Sequence, residues 1–238
     1  VNIYVRVFPK KLSIYLYCMS ILHDQKSFID FLKNLRNSKS IYFRMPRVAS
    51  ATITNEVAEK SLILPHSIRP SIINITLRTL RFRYFTYTFI RHPYSRFYSA
   101  YQWALRDFDR KIYPLDAKQK YAVTRYDGIE HFCKNLNYIL KDVKNSFPIH
   151  FFPQSEYITY NNKILVDFVG KYENLNKDFN ILSSKLGTRS NIVFGPNKKN
   201  YEKSKEEVDI SEILPKNVRQ QLDIIYHKDF EIFQYLKF

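Results

Sequence analysis

The chain has 238 residues, of which 45% are hydrophobic, enough for a sizeable core and too many for a wholly disordered protein. Its 38 lysine and arginine residues against 22 acidic residues give a net charge of +16. That charge favours anionic partners without choosing among nucleic acids, nucleotides, acidic glycans and membrane surfaces. The two cysteines, Cys18 and Cys133, exclude a disulfide framework, and no CxxC pair exists for a metal or redox site. Reduced thiols and a reducing compartment are expected.

The N-terminal part carries an apolar run at residues 12–22. This run is shorter than the roughly 20 residues that a membrane span needs, and no small-residue cleavage site follows it. We expect one domain over residues 1–238, with residues 1–23 as either an N-terminal extension or the first strand. Residues 24–36 have the apolar spacing of an amphipathic helix.

The middle of the chain predicts strands that alternate with helices. Residues 41–45 form a short strand, and the small-residue turn 48–52 leads into a helix carrying Ile53, Val57 and Leu64. Residues 65–83 are irregular and basic. Residues 84–90 are aromatic and β-branched, which predicts a strand, and a helix begins near Pro93.

The C-terminal part continues the same alternation. The apolar run 164–169 predicts a strand buried on both faces, and the helix after it ends at Gly187. Residues 195–209 predict a polar loop, and a last helix runs from about Pro215 to Tyr235. This order of elements predicts an α/β fold with a central, mainly parallel sheet flanked by helices.

The turn after the first strand has the composition of an anion-binding loop. The first 127 residues contain no glycine, which excludes a Walker A loop or a GxGxxG motif there. Small side chains nevertheless let backbone N–H groups approach a phosphate at the start of a helix. An ordinary capped turn would account for the same composition. The candidate cradle consists of Arg47, Val48, Ala49, Ser50, Ala51 and Thr52.

A second candidate anion site follows the aromatic strand. Arg91 stands at the carboxyl end of that strand, where open α/β sheets bind ligands, and Ser99 lies on the next helix. Arg96 is on the same helical face as Ser99, at i, i+3. An arginine fork with a hydroxyl suits a phosphate dianion, although Arg91 or Arg96 could instead pair with a carboxylate to brace the turn.

Residues 89–101 (FIRHPYSRFYSAY) closely resemble the RxPxxRxxSxY signature of family-2 sulfotransferases, the carbohydrate sulfotransferases. Residues 41–50 resemble the 5′-phosphosulfate loop of the same family. Three further stretches also resemble it in order, at 150–155 (HFFPQS), 167–175 (DFVGKYENL) and 226–233 (YHKDFEIF). The resemblance implies a P-loop-like sulfotransferase fold and 3′-phosphoadenosine 5′-phosphosulfate (PAPS) as donor, with PAP as product and no metal.

The resemblance also implies roles for individual residues. Arg91 and Ser99 would bind the 3′-phosphate, and residues 46–52 would hold the 5′-phosphosulfate. The family has a lysine where this chain has Arg47, so Arg47 acts electrostatically or the enzyme is weakened, because a guanidinium cannot deliver a proton near neutral pH. Lys198 lies in a segment that closes over the nucleotide in relatives, although a solvated basic loop explains it equally well.

An acceptor hydroxyl needs a general base. His66 holds the position where several relatives keep a histidine base, and His150 is the alternative, otherwise structural. His92 varies in relatives, which argues against a direct role in catalysis. Glu173 is expected to brace the site by hydrogen bonds to nearby backbone.

The partner is expected to be a carbohydrate, either an acidic glycan or a glycolipid, because a basic surface steers polyanions. A cytoplasmic enzyme of the bacterial type is expected, with a Golgi lumenal domain as the alternative. Two other classes of function remain open at this stage. One is a nucleic-acid-binding protein, which the charge and the 16% aromatic content would suit, although no nucleic-acid motif is present. The other is a non-catalytic glycan-binding protein of the same fold.

Overall fold

The computed structural model describes residues 37–64, 84–106, 114–142, 149–187 and 210–238. Three predicted segments lie outside the described residues: the helix 24–36, the irregular stretch 65–83 and the polar loop 195–209. The apolar run 12–22 lies outside them too.

A four-stranded parallel sheet forms the centre of the described fold, in the order β2-β1-β3-β6. Its strands are β1 (Ser40–Phe43), β2 (Ser61–Leu64), β3 (Phe85–Ile90) and β6 (Phe168–Lys171). Because β1 and β3 are parallel neighbours, their carboxyl ends meet at the same edge of the sheet. A short antiparallel hairpin joins β4 (Thr159–Tyr160) to β5 (Lys163–Ile164). The predicted α/β fold with a parallel sheet is confirmed.

Several helices lie within the described residues, and a helix follows each of β1, β3 and β6. The first three are α1 (Ser50–Val57), α2 (Pro93–Leu105) and α3 (Pro114–Thr124). The next three are α4 (Gly128–Lys141), α5 (Gln154–Ile158) and α6 (Leu175–Leu186). The last three are α7 (Ile210–Ile213), α8 (Lys216–Ile225) and α9 (His227–Phe233). Short 3₁₀ turns at Ile149–Phe151 and Tyr172–Asn174 precede α5 and α6.

Three predicted boundaries are wrong, each for a local reason. Leu64 lies on β2 rather than on the first helix, which ends at Val57, and its side chain is buried in the sheet layer. The predicted strand 164–169 is two elements: a hairpin strand, and β6, which begins only at Phe168. The predicted burial on both faces is also wrong, because Ile164 is exposed and Phe168 and Val169 are only partly buried. The last helix is broken at Tyr226, where the backbone leaves the helical region (φ −104°, ψ 19°).

The core has two main parts. One packs α2 against α4 and α8 and includes Phe97, Phe132 and Leu222, all fully buried. The other covers the sheet and includes Tyr42, Phe89 and the buried face of α6. Gly187 ends α6, as predicted, in the left-handed region (φ 67°). Because α2 is anchored by the first part and β3 by the second, the turn between them is held from both sides.

Candidate active site

The turn between β1 and α1 contains two residues with left-handed backbone conformations. Arg47 and Ala49 both have left-handed conformations, with φ of 68° and 58°. Ala49 precedes the right-handed α1, and no side chain caps that helix, so the ordinary capped turn is not formed. Alternation of left- and right-handed residues turns successive N–H groups into an anion-binding concavity. The local geometry of residues 46–52 therefore agrees with an anion cradle.

Arg47 reaches from this turn to α2. Its Nε and Nη2 donate hydrogen bonds to Ser99 Oγ at 3.3 and 3.0 Å, and its guanidinium lies 6.0 Å from the centre of the Trp103 ring. Burial, followed by the positive charges of Arg91 and Arg106, lowers the pKa of Arg47 to about 10. Arg47 thus stays charged at neutral pH, in a place that disfavours a cation.

Arg91 follows β3 directly, as predicted. Its guanidinium stacks on the Tyr172 ring with 4.3 Å between the guanidinium carbon and the ring centre. Its buried Nε has no hydrogen-bond partner among the described residues. Burial lowers the pKa of Arg91, while the nearby Tyr172 and Glu173 act in the opposite direction. An unpartnered guanidinium N–H below the surface is a donor that a bound anion would satisfy.

The structure brings Arg47, Arg91 and Ser99 together at the edge where β1 and β3 end. Ser99 contacts Arg47 rather than Arg91, so the two candidate anion sites share a side chain and adjoin each other. Two partly buried cations side by side repel each other, and an anion between them would relieve that repulsion.

His92 packs against the C-terminal residues of the chain. Its ring stacks on Phe238, and its Nε2 lies 3.0 Å from the carbonyl oxygen of Leu236. Burial lowers the pKa of His92. Its backbone N–H donates to Glu173 Oε1 at 2.6 Å, and Tyr235 donates to the other oxygen of that carboxylate at 2.9 Å. The bracing role expected of Glu173 is therefore observed.

Arg96 is not in the anion site. Its side chain is 1% exposed and donates hydrogen bonds to the carbonyl oxygens of His150 and Phe152. The helical spacing to Ser99 was correct, but the side chain turns inward and clamps the segment before α5. The sequence left two roles for Arg96, phosphate binding and bracing. The bracing role is observed, with backbone carbonyl oxygens in place of the expected carboxylate.

Of the two candidate general bases, the structure describes His150 but not His66. His150 is 9% exposed, and its backbone N–H donates to Gln119 Oε1 at 3.1 Å. Its ring packs edge-on against Trp103, with 4.6 Å between the ring centres. This packing suits the structural alternative for His150. His66 and Lys198 lie outside the described residues, so their proposed roles stay predictions.

Three neighbours of the site carried no predicted role. Trp103 and Tyr172 flank the two arginines, and the side chain of Gln154 holds the backbone of Arg91. Tyr172 and Gln154 belong to stretches that resemble the family, which was the available signal for them. Their contacts depend on the tertiary fold.

Within the described residues, neither a metal-binding cluster nor a membrane-crossing helix is found. No group of three or more histidine, cysteine, aspartate or glutamate side chains is placed to hold a metal ion there. No helix in the same ranges is long and apolar enough to cross a membrane.

The parallel sheet, the uncapped turn after β1 and the arginines that follow adjacent strands describe an α/β protein with a candidate anion site at one sheet edge. A sulfotransferase family matches residues 12–236, and the chain belongs to this family of PAPS-dependent enzymes. No curated protein and no solved structure matched the chain. The family membership confirms the resemblance drawn from the motifs and shows that the protein is an enzyme that transfers sulfuryl groups.

Proposed function

We propose that this enzyme transfers the sulfuryl group of PAPS to a hydroxyl of a carbohydrate acceptor. The proposal rests on one observation: Arg47 and Arg91 are both partly buried, follow adjacent parallel strands and are close enough for their charges to interact. PAPS carries one phosphate at the 3′ position and one at the 5′ position of its ribose, so it needs two neighbouring cationic sites. The unpartnered Nε of Arg91 and the N–H groups that follow Ala49 are suitable donors for such a ligand.

Each group has a distinct proposed task. Arg91 binds the 3′-phosphate, and the backbone of residues 46–52 holds the 5′-phosphosulfate, with Ser99 between the two. Arg47 donates to the bridging oxygen that becomes the leaving phosphate, where negative charge grows during in-line transfer. Its lowered pKa of about 10 still leaves it protonated at neutral pH. Its contribution is therefore electrostatic rather than a proton transfer.

The acceptor class follows from charge and from the family resemblance. A net charge of +16 attracts polyanions, so we propose an acidic glycan or a glycolipid headgroup. His66 is the proposed general base that takes the acceptor proton.

The test is a transfer assay with labelled PAPS across a panel of glycan acceptors, together with binding of PAP. Arg91→Ala should weaken PAP binding at least tenfold, about 1.4 kcal/mol, because a phosphate loses its charged partner. Arg125→Ala is the matched control, since Arg125 is exposed and lies over the rings of Tyr121 and Tyr126. His66→Ala should abolish turnover and leave PAP binding intact.

Three results would refute the proposal. Unchanged PAP affinity in Arg91→Ala would rule out the proposed binding site for the nucleotide. Displacement of PAP by oligonucleotides, without transfer to any glycan, would favour the nucleic-acid-binding alternative. Glycan binding without transfer would instead indicate the non-catalytic protein.

A further inference from the structure

The backbone of Arg91 lies just past the end of the strand ladder. The last registered pair between β3 and β6 is Ile90 with Lys171, so the sheet offers residue 91 no strand partner on that side. The side chain of Gln154 takes that place. Its Oε1 accepts the Arg91 N–H at 2.9 Å, and its Nε2 donates to the Arg91 carbonyl oxygen at 2.7 Å. This two-way exchange is the pattern of a hydrogen-bonded pair in an antiparallel ladder, made here by an amide side chain.

Gln154 is itself held by a buried carboxylate. Gln154 and Asp229 are both 0% exposed. Asp229 Oδ2 accepts the Gln154 backbone N–H at 2.8 Å and its Nε2 at 3.4 Å, and Oδ1 accepts the Ser155 N–H at 2.7 Å. A chain of contacts therefore runs from α9 through the Asp229 carboxylate and the Gln154 amide to the backbone of Arg91.

We propose that Gln154, fixed by Asp229, is a positioning residue that sets where the Arg91 guanidinium meets the donor nucleotide. The inference rests on the proposed function, in which Arg91 binds a phosphate. The hydrogen bonds hold the Arg91 backbone from one side, and the Glu173 bond to the His92 N–H holds the next peptide. A displacement of about 1 Å in a binding group is enough to lose much of its effect.

Two substitutions separate the hydrogen bonds from the packing. Gln154→Met keeps a side chain of similar length and removes both bonds to Arg91, and it should weaken PAP binding about tenfold. Gln154→Glu replaces Nε2 by an oxygen that faces two acceptors, the Arg91 carbonyl and Asp229 Oδ2. A protonated glutamic acid has an O–H that restores the donor. Burial beside Asp229 raises the pKa of such a carboxyl, so protonation should occur at mildly acidic pH.

The pH profile is the readout that a purely structural role would not change. The PAP affinity of Gln154→Glu, taken relative to the unchanged protein at each pH, should be low at about pH 8 and should recover toward pH 6. The affinity rises as pH falls because the protonated carboxyl of this variant is the form that restores the hydrogen bond to Arg91. Gln154→Met should show the same deficit at both pH values, because it has no group to titrate.

Gln119→Met is the matched control. Gln119 is 2% exposed and holds the N–H of His150, in the same stretch of chain, without contacting residue 91. It should lower the melting temperature and leave the PAP dissociation constant within about twofold. Unchanged PAP affinity in Gln154→Met would overturn the inference. An equal loss in Gln119→Met, or a pH-independent deficit in Gln154→Glu, would also overturn it.

Arg91→Ala, measured in parallel, separates this inference from the proposed function. If Arg91→Ala binds PAP normally, the donor site is wrong. If Arg91→Ala loses PAP while Gln154→Met retains it, only the positioning role is wrong.

Discussion

Arg47 offers the sharpest test of the chemistry, because the family resemblance places a lysine at this position. We consider two replacements, Arg47→Met and Arg47→Lys. Arg47→Met removes a fixed cationic donor from the place where charge develops. Such a loss typically costs about 10²–10³ in kcat, or about 2.7–4 kcal/mol. PAPS binding should fall less than kcat does, because the bridging oxygen of PAPS gains its charge only as its bond to sulfur breaks in the transition state.

Arg47→Lys should instead change the pH dependence. A lysine there would experience the burial and the neighbouring charges of Arg91 and Arg106 that lower the pKa of Arg47 to about 10. Its pKa would fall from an ordinary value of about 10.4 toward neutrality. Activity needs the protonated amine, so the rate should fall as pH rises through that lowered pKa. The unchanged protein should hold its rate to higher pH, up to about 10.

The assay is kcat at saturating labelled PAPS and acceptor, from about pH 6 to pH 10. Arg125→Met, on the exposed surface, controls for the loss of one positive charge. The reasoning fails if Arg47→Met keeps kcat within about threefold, since a preorganised charge would be worth more. It also fails if Arg47→Lys and the unchanged protein share the same alkaline limb.

Three further predictions concern stability. Arg96→Met should lower the free energy of unfolding in urea by about 2–4 kcal/mol, because two buried carbonyl oxygens lose their donor; a change below about 0.5 kcal/mol would contradict the observed clamp. Gly170→Ala should cost about 1–3 kcal/mol in the same measurement, since an added Cβ would overlap the Phe89 ring, and an unchanged midpoint would contradict that packing. Burial raises the pKa of Cys133 to about 12, so its contribution to stability is full below the ordinary thiol pKa of about 8.5 and is lost as pH rises toward 12. Cys133→Ala should flatten the decline of the melting temperature in this window, and an identical decline would contradict the burial.

Local patterns predicted the elements that lie closest to the site. The aromatic, β-branched run before Arg91 and the apolar spacing after Pro93 each favour one structure, and both β3 and α2 formed there. Patterns failed where one apolar run serves two elements. Residues 164–169 read as a single buried strand, but a hairpin and a sheet strand share them. Only Val166 of this run is buried, because an apolar run does not determine which neighbours will cover its residues.

In the site, too, local sequence predicted the backbone turn but not the side-chain contacts that depend on the tertiary fold. A composition of small residues predicted a phosphate-type turn after β1, and the left-handed Arg47 and Ala49 are the geometry that such a turn uses. Helical spacing put Arg96 beside Ser99 but could not say that the guanidinium would point inward. The spacing fixes the face of a helix, whereas the direction of a long side chain depends on which carbonyls need a donor.

The sequence assigned both arginines of the site, but the contacts that hold them come from distant parts of the chain. The Arg47 backbone is set by a turn of its own residues, whereas its side chain donates to Ser99, 52 residues later. Arg91 is held by Gln154, 63 residues later, and Gln154 by Asp229, a further 75 residues along. No local pattern relates these three, because the pairing exists only once α9 has packed beside α5. A site built at the ends of parallel strands therefore takes its charged groups from short motifs and their alignment from the far end of the chain.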